Sequence, residues 1–128
     1  KYQFIATGLY QAPWGINLAG SLLTRQGYAT PYFRGTFATG DPLSNQKNIL
    51  LVDDVGERRL PTVTSLDLRL GKEVAVRRLR FNVDLDVFNA LNSSTVLGRE
   101  YDLNLTTSGS VLEIMNPRIL RLGLRFSF

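Results

Sequence analysis

The sequence predicts an all-β chain of antiparallel strands of the membrane-spanning β-barrel type, about five in number. Three observations predict this. Apolar and polar residues alternate with period two in several stretches. Two long polar connections alternate in order with short turns. Aromatic residues gather at both ends of the alternating stretches.

The clearest strand is Arg118 to Phe128. Leu120, Leu122, Leu124, Phe126 and Phe128 share one parity; Arg121, Gly123, Arg125 and Ser127 share the other. In a soluble sheet the apolar parity would meet a core. In a barrel it would meet lipid, with Arg121 and Arg125 in a wet lumen. Arg80 to Phe88 alternates in the same way, with Phe81, Val83, Leu85 and Val87 against Asn82, Asp84 and Asp86. In Thr62 to Leu70, Leu66, Leu68 and Leu70 alternate with Ser65, Asp67 and Arg69. Gly71 to Arg78 reads as the connection of a hairpin between these two strands. Trp14 to Tyr28 is a longer alternating run. Lys1 to Tyr10 is a further strand of less regular parity, joined to it by a turn at Gln11-Ala12-Pro13.

The connections at 29–61 and 92–117 are long and rich in Gly, Pro, Ser, Thr and Asn, with a possible short strand at Ile49 to Val52. Antiparallel pairing sends alternate connections to opposite ends. Both long connections then fall at one end, and both short turns and the chain end at the other, as in outer-membrane barrels. Tyr10, Trp14, Phe126 and Phe128 fall at the short-turn end. Tyr28, Tyr32, Phe33, Tyr2 and Phe4 fall at the other, as two interfacial girdles would. A soluble sandwich with aromatic rims is the competing reading, but it leaves the asymmetry of the connections without a cause.

Composition limits the chemistry. The chain has 128 residues, 44% of them hydrophobic, and a mean hydropathy of -0.04. Alternating faces cancel in such a mean. No run approaches the ~18 apolar residues a membrane helix needs, whereas a barrel strand crosses with ~9–11. There are no cysteines and no histidines. That removes thiolate metal sites and the commonest general base, and argues against an enzyme. The net charge of +4 comes with arginines set inside alternating runs. This is the pattern of one polar sheet face rather than of a nucleic-acid-binding tail.

Asp67, Arg69, Asn82, Asp84, Asp86, Arg121 and Arg125 make up the polar parity. They would touch a plug or a permeating ligand, or else pair with one another as a solvated wall; pairing is the plainer reading for any single residue. Asp84 and Asp86 could invite a divalent ion, but arginines on flanking strands favour ion pairs. Asp53-Asp54 and Arg99-Glu100-Tyr101-Asp102 read as solvated residues of the long connections. Asn89 and Asn92 suit a strand end and the start of a turn.

The stretch Arg121-Leu-Gly-Leu-Arg-Phe-Ser-Phe128 resembles the C-terminal β-signal of outer-membrane barrels, with Arg121, Gly123, Phe126 and Phe128 in its positions. Asn82-Val-Asp-Leu-Asp-Val-Phe-Asn-Ala-Leu-Asn92 resembles the penultimate strand of TonB-dependent receptors, which a "D-x-x-N-x-x-N" cluster ends; here it is Asp86, Asn89 and Asn92. Residues 60–72 resemble the strand before it. The resemblance is closest to Oar-like receptors with a carboxypeptidase-regulatory-like domain, and covers 60–128 well and 1–59 in outline.

It implies that residues 1–128 are the C-terminal portion of a plugged barrel of ~22 strands. The plug, the TonB box and the signal peptide are expected to lie outside this stretch. The implied role is energy-coupled uptake of a large nutrient such as a siderophore, glycan or peptide. The implied partners are the outer-membrane bilayer, the barrel-assembly machinery, the protein's own plug domain and TonB. The resemblance implies an outer-membrane location with a periplasmic C-terminus, and no cofactor, metal or nucleic acid. A passive porin or adhesin-like barrel would carry the same β-signal.

Overall fold

The computed structural model describes residues 1–37, 47–77 and 79–127. Phe128, placed in the β-signal above, lies outside the described residues. The strands are β1 (Gln3–Ala12), β2 (Ile16–Arg25), β3 (Phe33–Phe37), β4 (Lys47–Leu51), β5 (Val63–Val76), β6 (Leu79–Phe88), β7 (Val96–Arg99), β8 (Val111–Ile114) and β9 (Ile119–Ser127). The chain is all-β, with antiparallel sheets, and it divides into two compact units.

The first unit is a five-stranded sheet in the order β1-β2-β5-β6-β9, antiparallel throughout. It is open, with β1 and β9 at its edges. Pairing of Arg25 with Val63, and of Phe88 with Ile119, puts the exits to both long connections at one end of the sheet. The turns after β1 and β5 lie at the other end. The first is a single 3-10 turn, Pro13–Gly15, in which Trp14 and Gly15 have φ of 64° and 72°. Two consecutive left-handed residues match the twist of the flanking strands.

The register turns sequence parity into two faces. Tyr10, Leu18, Leu70, Leu85 and Leu122 align across all five strands, as do Gly8, Gly20, Leu68, Val87 and Leu120 in the next row. Leu66, Phe81, Val83 and Leu124 lie on this same apolar face. The opposite face is polar across β5, β6 and β9. Across β1 and β2 it also carries Ile5, Leu9 and Leu23, which is why the parity of the first strand is hard to read.

Val63 is the buried hydrophobic of this sheet among the described residues, and Leu60 that of the second unit. Val63 has the polar-face parity of Ser65 and Asp67. The apolar face is open: Leu120, Leu122 and Phe126 are each about two-thirds exposed. A water-soluble domain of this length would bury most such side chains.

Several element boundaries differ from the sequence expectation. Gly71 to Arg78 is not a connection. Strand β5 continues through Gly71 to Val76, and the turn begins at Arg77, whose φ is 55°. Gly71 does not break the strand because its missing side chain has a use there: a Cβ would stand 2.7 Å from Asp84 Oδ1. Likewise β1 runs through Gln11 and Ala12, and Trp14 belongs to the turn rather than to β2.

The long connections also hold more structure than expected. The second unit comprises residues Gln26–Thr62 and Thr95–Met115, with hairpins β3–β4 and β7–β8. Only β4 matches the short strand suggested near Ile49. Phe33 N donates to Tyr101 O at 3.1 Å and Leu103 N to Phe33 O at 2.9 Å, which ties the two hairpins together. Tyr32 and Tyr101 meet edge to face at 5.5 Å. Strands of four or five residues are too short for alternation to reveal.

Candidate functional site

The polar face of the five-stranded sheet is built in rows. In the central row Arg69, Asp86 and Arg121 lie side by side on β5, β6 and β9. Antiparallel pairing brings directly opposed Cβ atoms to roughly 5 Å, within reach of side-chain contact. Arg69 Nε donates to Asp86 Oδ1 at 2.6 Å. Arg121 donates to Asp86 Oδ2 through Nε at 2.9 Å and Nη2 at 2.7 Å. The Arg121 guanidinium also lies over the Phe88 ring, 5.2 Å from its centroid. Asp86 is 5% exposed, while both arginine side chains are half exposed or more. One sunken carboxylate thus holds two projecting cations.

The next row is different. Asp84 is flanked by Gly71 on β5 and Gly123 on β9, not by arginines. The expectation of direct ion pairing therefore holds for Asp86 and fails for Asp84, whose Oδ2 accepts from Asn82 Nδ2 at 3.1 Å. Gly71 leaves room for its carboxylate, since a Cβ there would stand 2.7 Å from Asp84 Oδ1. A row further on, Asn82 pairs in register with Glu73 and Arg125.

At the end of β6 the three residues of the Asp86, Asn89, Asn92 motif do separate jobs. Asp86 clamps the two arginines. Asn89, 4% exposed and at φ 48°, donates through Nδ2 to Ser93 O at 2.9 Å and to Asn116 O at 2.7 Å. Its Oδ1 accepts from Ser93 N at 3.0 Å. Its backbone N–H donates to Asp67 Oδ1 at 2.9 Å, which also takes the Ser65 hydroxyl. Asn92, at φ 52°, accepts from Arg118 N at 3.0 Å and so holds the entry to β9. Asn is the side chain that tolerates left-handed backbone while offering both a donor and an acceptor.

Arg121, Gly123 and Phe126 all lie opposite residues of β6. Arg121 binds Asp86, Gly123 lies opposite Asp84, and Phe126 meets Phe81 edge to face at 5.5 Å. No protein-family model, curated protein or solved structure matches this chain. A functional reading therefore has to rest on these residues.

Their chemistry is that of holding. Asp67, Asp84 and Asp86 are occupied by guanidinium, amide or hydroxyl donors, and among the described residues no group of three or more His, Cys, Asp or Glu is placed to hold a metal ion. Asp53 pairs with Arg58 at 3.0 Å, and Glu100 Oε1 and Asp102 Oδ1 accept backbone N–H groups of their own turn. Sequence reasoning placed Asn89 at a strand end but missed its bonds to Ser93 and Asn116, and it missed the glycine-flanked slot at Asp84. The Asn89 spacing from Asp86 hinted at the first; strand register alone reveals the second.

The clamp makes a prediction. Asp86→Ala leaves two guanidiniums unheld at the seam joining three strands. It is expected to lower the melting temperature of the folded sheet more than Arg69→Ala or Arg121→Ala alone, because each single loss leaves Asp86 with one cation. Thermal unfolding followed by circular dichroism decides the order.

Proposed function

We propose that this chain is the C-terminal strand set of an outer-membrane β-barrel receptor of the TonB-dependent kind, serving energy-coupled uptake of a large nutrient. One observation carries the reading. All five strands turn an exposed, almost charge-free face the same way, against a face where arginines and aspartates pair. Contiguous apolar surface on that scale marks a membrane or protein contact, and here it supports lipid. A barrel strand set supplies the complementary wet side. The sheet's two open edges fit the same reading, since lipid cannot satisfy unpaired strand edges and further strands must continue them. The assembly machinery would read Arg121, Gly123, Phe126 and Phe128, and a plug would fill the lumen against Arg69, Asp86 and Arg121.

In this reading both long connections are extracellular and the C-terminus is periplasmic. The test uses the intact protein in cells and in planar bilayers. A tag inserted at Ser108 should be reached by antibody on intact cells, and the purified protein should give no steady K⁺ conductance because its lumen is plugged. A tag reached only after permeabilising the outer membrane overturns the topology. A steady open conductance replaces the receptor with a passive porin.

A further inference from the structure

Lys72 is the single charged residue that the register places on the apolar face of the five-stranded sheet, among the described residues. It sits between Ile16 of β2 and Val83 of β6, at the end of the sheet where the Pro13–Gly15 turn lies. Its ammonium donates to Trp14 O, and it makes no ion pair among the described residues. An ammonium has three donors, so two remain. Trp14 itself is 83% exposed, an indole on a turn beside a cation.

Below Lys72 the face is hollowed. Gly8 and Gly20 are paired on β1 and β2, next to Leu68 on β5. A Cβ at Gly8 would meet nothing within 4 Å. A cavity of about 580 Å³ opens there, lined by Gly8, Tyr10, Leu18, Gly20, Leu68 and Leu70, among others. Lys72 and Leu68 are four residues apart on one strand, roughly 13 Å at the rise of an extended chain. A cation held at the Trp14 carbonyl thus stands one headgroup-to-chain length above a mainly apolar trough, whose one charged lining residue, Arg69, sends its guanidinium to Asp86 on the other face.

We infer that Lys72 and the Gly8–Gly20 hollow form a binding site for one anionic phospholipid. The phosphate sits on the Lys72 ammonium beside Trp14, and one acyl chain lies along Leu18 and Leu70 into the hollow. Charge complementarity selects this occupant: a lone cation on an apolar face calls for an anion that carries its own hydrocarbon. A protein partner packed there would leave Lys72 facing apolar side chains unless it supplied a carboxylate at that point. The inference rests on the membrane reading above and adds to it a particular lipid class and place.

The test is native mass spectrometry of the intact protein, released from detergent with dioleoyl-phosphatidylglycerol or dioleoyl-phosphatidylcholine as probes. The wild type should retain one phosphatidylglycerol, preferred about fivefold, the size of one surface lysine's attraction to an anionic lipid. Lys72→Gln should remove that preference and Lys72→Arg should keep it. Gly8→Leu, which the open space at Gly8 accommodates, should lower retention of both lipids alike. An unchanged preference in Lys72→Gln, unchanged retention in Gly8→Leu, or no retained lipid in the wild type overturns the site. Failure of the membrane reading itself looks different: the protein would stay in solution without detergent.

Discussion

Leu122→Arg is expected to remove about 2–4 kcal/mol from the inserted protein, the penalty for a cation on the lipid face near the bilayer midplane. Leu122 lies mid-strand on β9, pairs with Leu85, and is 67% exposed on the apolar face. No carboxylate of β6 shares that face, since Asp84 and Asp86 have the other parity. The new guanidinium would have nothing to bind except backbone already used in the ladder. The control is its neighbour. Arg121→Leu removes one of two cations from Asp86 and leaves Arg69 in place, so its effect should be the smaller. Folded fraction measured by urea titration in lipid vesicles compares the two. A larger loss for Arg121→Leu would mean that the apolar face does not meet lipid.

Asn89→Ala should be at least as damaging, for a reason unrelated to lipid. The side chain makes three hydrogen bonds to the backbone of Ser93 and Asn116, each worth about 1 kcal/mol net. Its φ of 48° adds about 1–2 kcal/mol of strain for a residue with a Cβ and no local hydrogen bond. The expected total is roughly 3–5 kcal/mol. Asn89→Gly should recover the strain part and none of the hydrogen bonds. Asn89→Asp should keep the bond from Ser93 N but lose both donations, and it places a carboxylate against two carbonyl oxygens. Urea midpoints are expected in the order wild type, Gly, Ala; equal midpoints for Gly and Ala would show that the left-handed backbone stores no strain.

Arg121, Gly123 and Phe126 are matched one by one to Asp86, Asp84 and Phe81 on β6. Substituting any of them disturbs the β6–β9 seam as well as any recognition by an assembly factor. A variant's loss of yield is informative about recognition only when its melting behaviour is unchanged.

The sequence by itself determined the all-β antiparallel class, the two faces of the regular strands and which end of the sheet carries the long connections. The reason is that strand side chains alternate with period two, so parity is a local property that a strand displays wherever its two faces differ in polarity. Leu120 to Phe126 and Phe81 to Val87 show it without reference to a partner. It could not show how rows align across strands, because register depends on residues far apart in the chain. Pairing of Arg69 with Asp86 spans 17 positions and of Arg121 with Asp86 spans 35. Only the tertiary structure therefore decided that Asp86 is clamped while Asp84 lies between glycines. The same holds for Gly71, a breaker by local propensity but an ordinary strand residue once Asp84 of the neighbouring strand fills the space its side chain would have taken. Lys72 became the lone charge of an apolar face for the same reason: parity counts past a glycine only if the strand continues through it, and that was settled by nine pairings with β6.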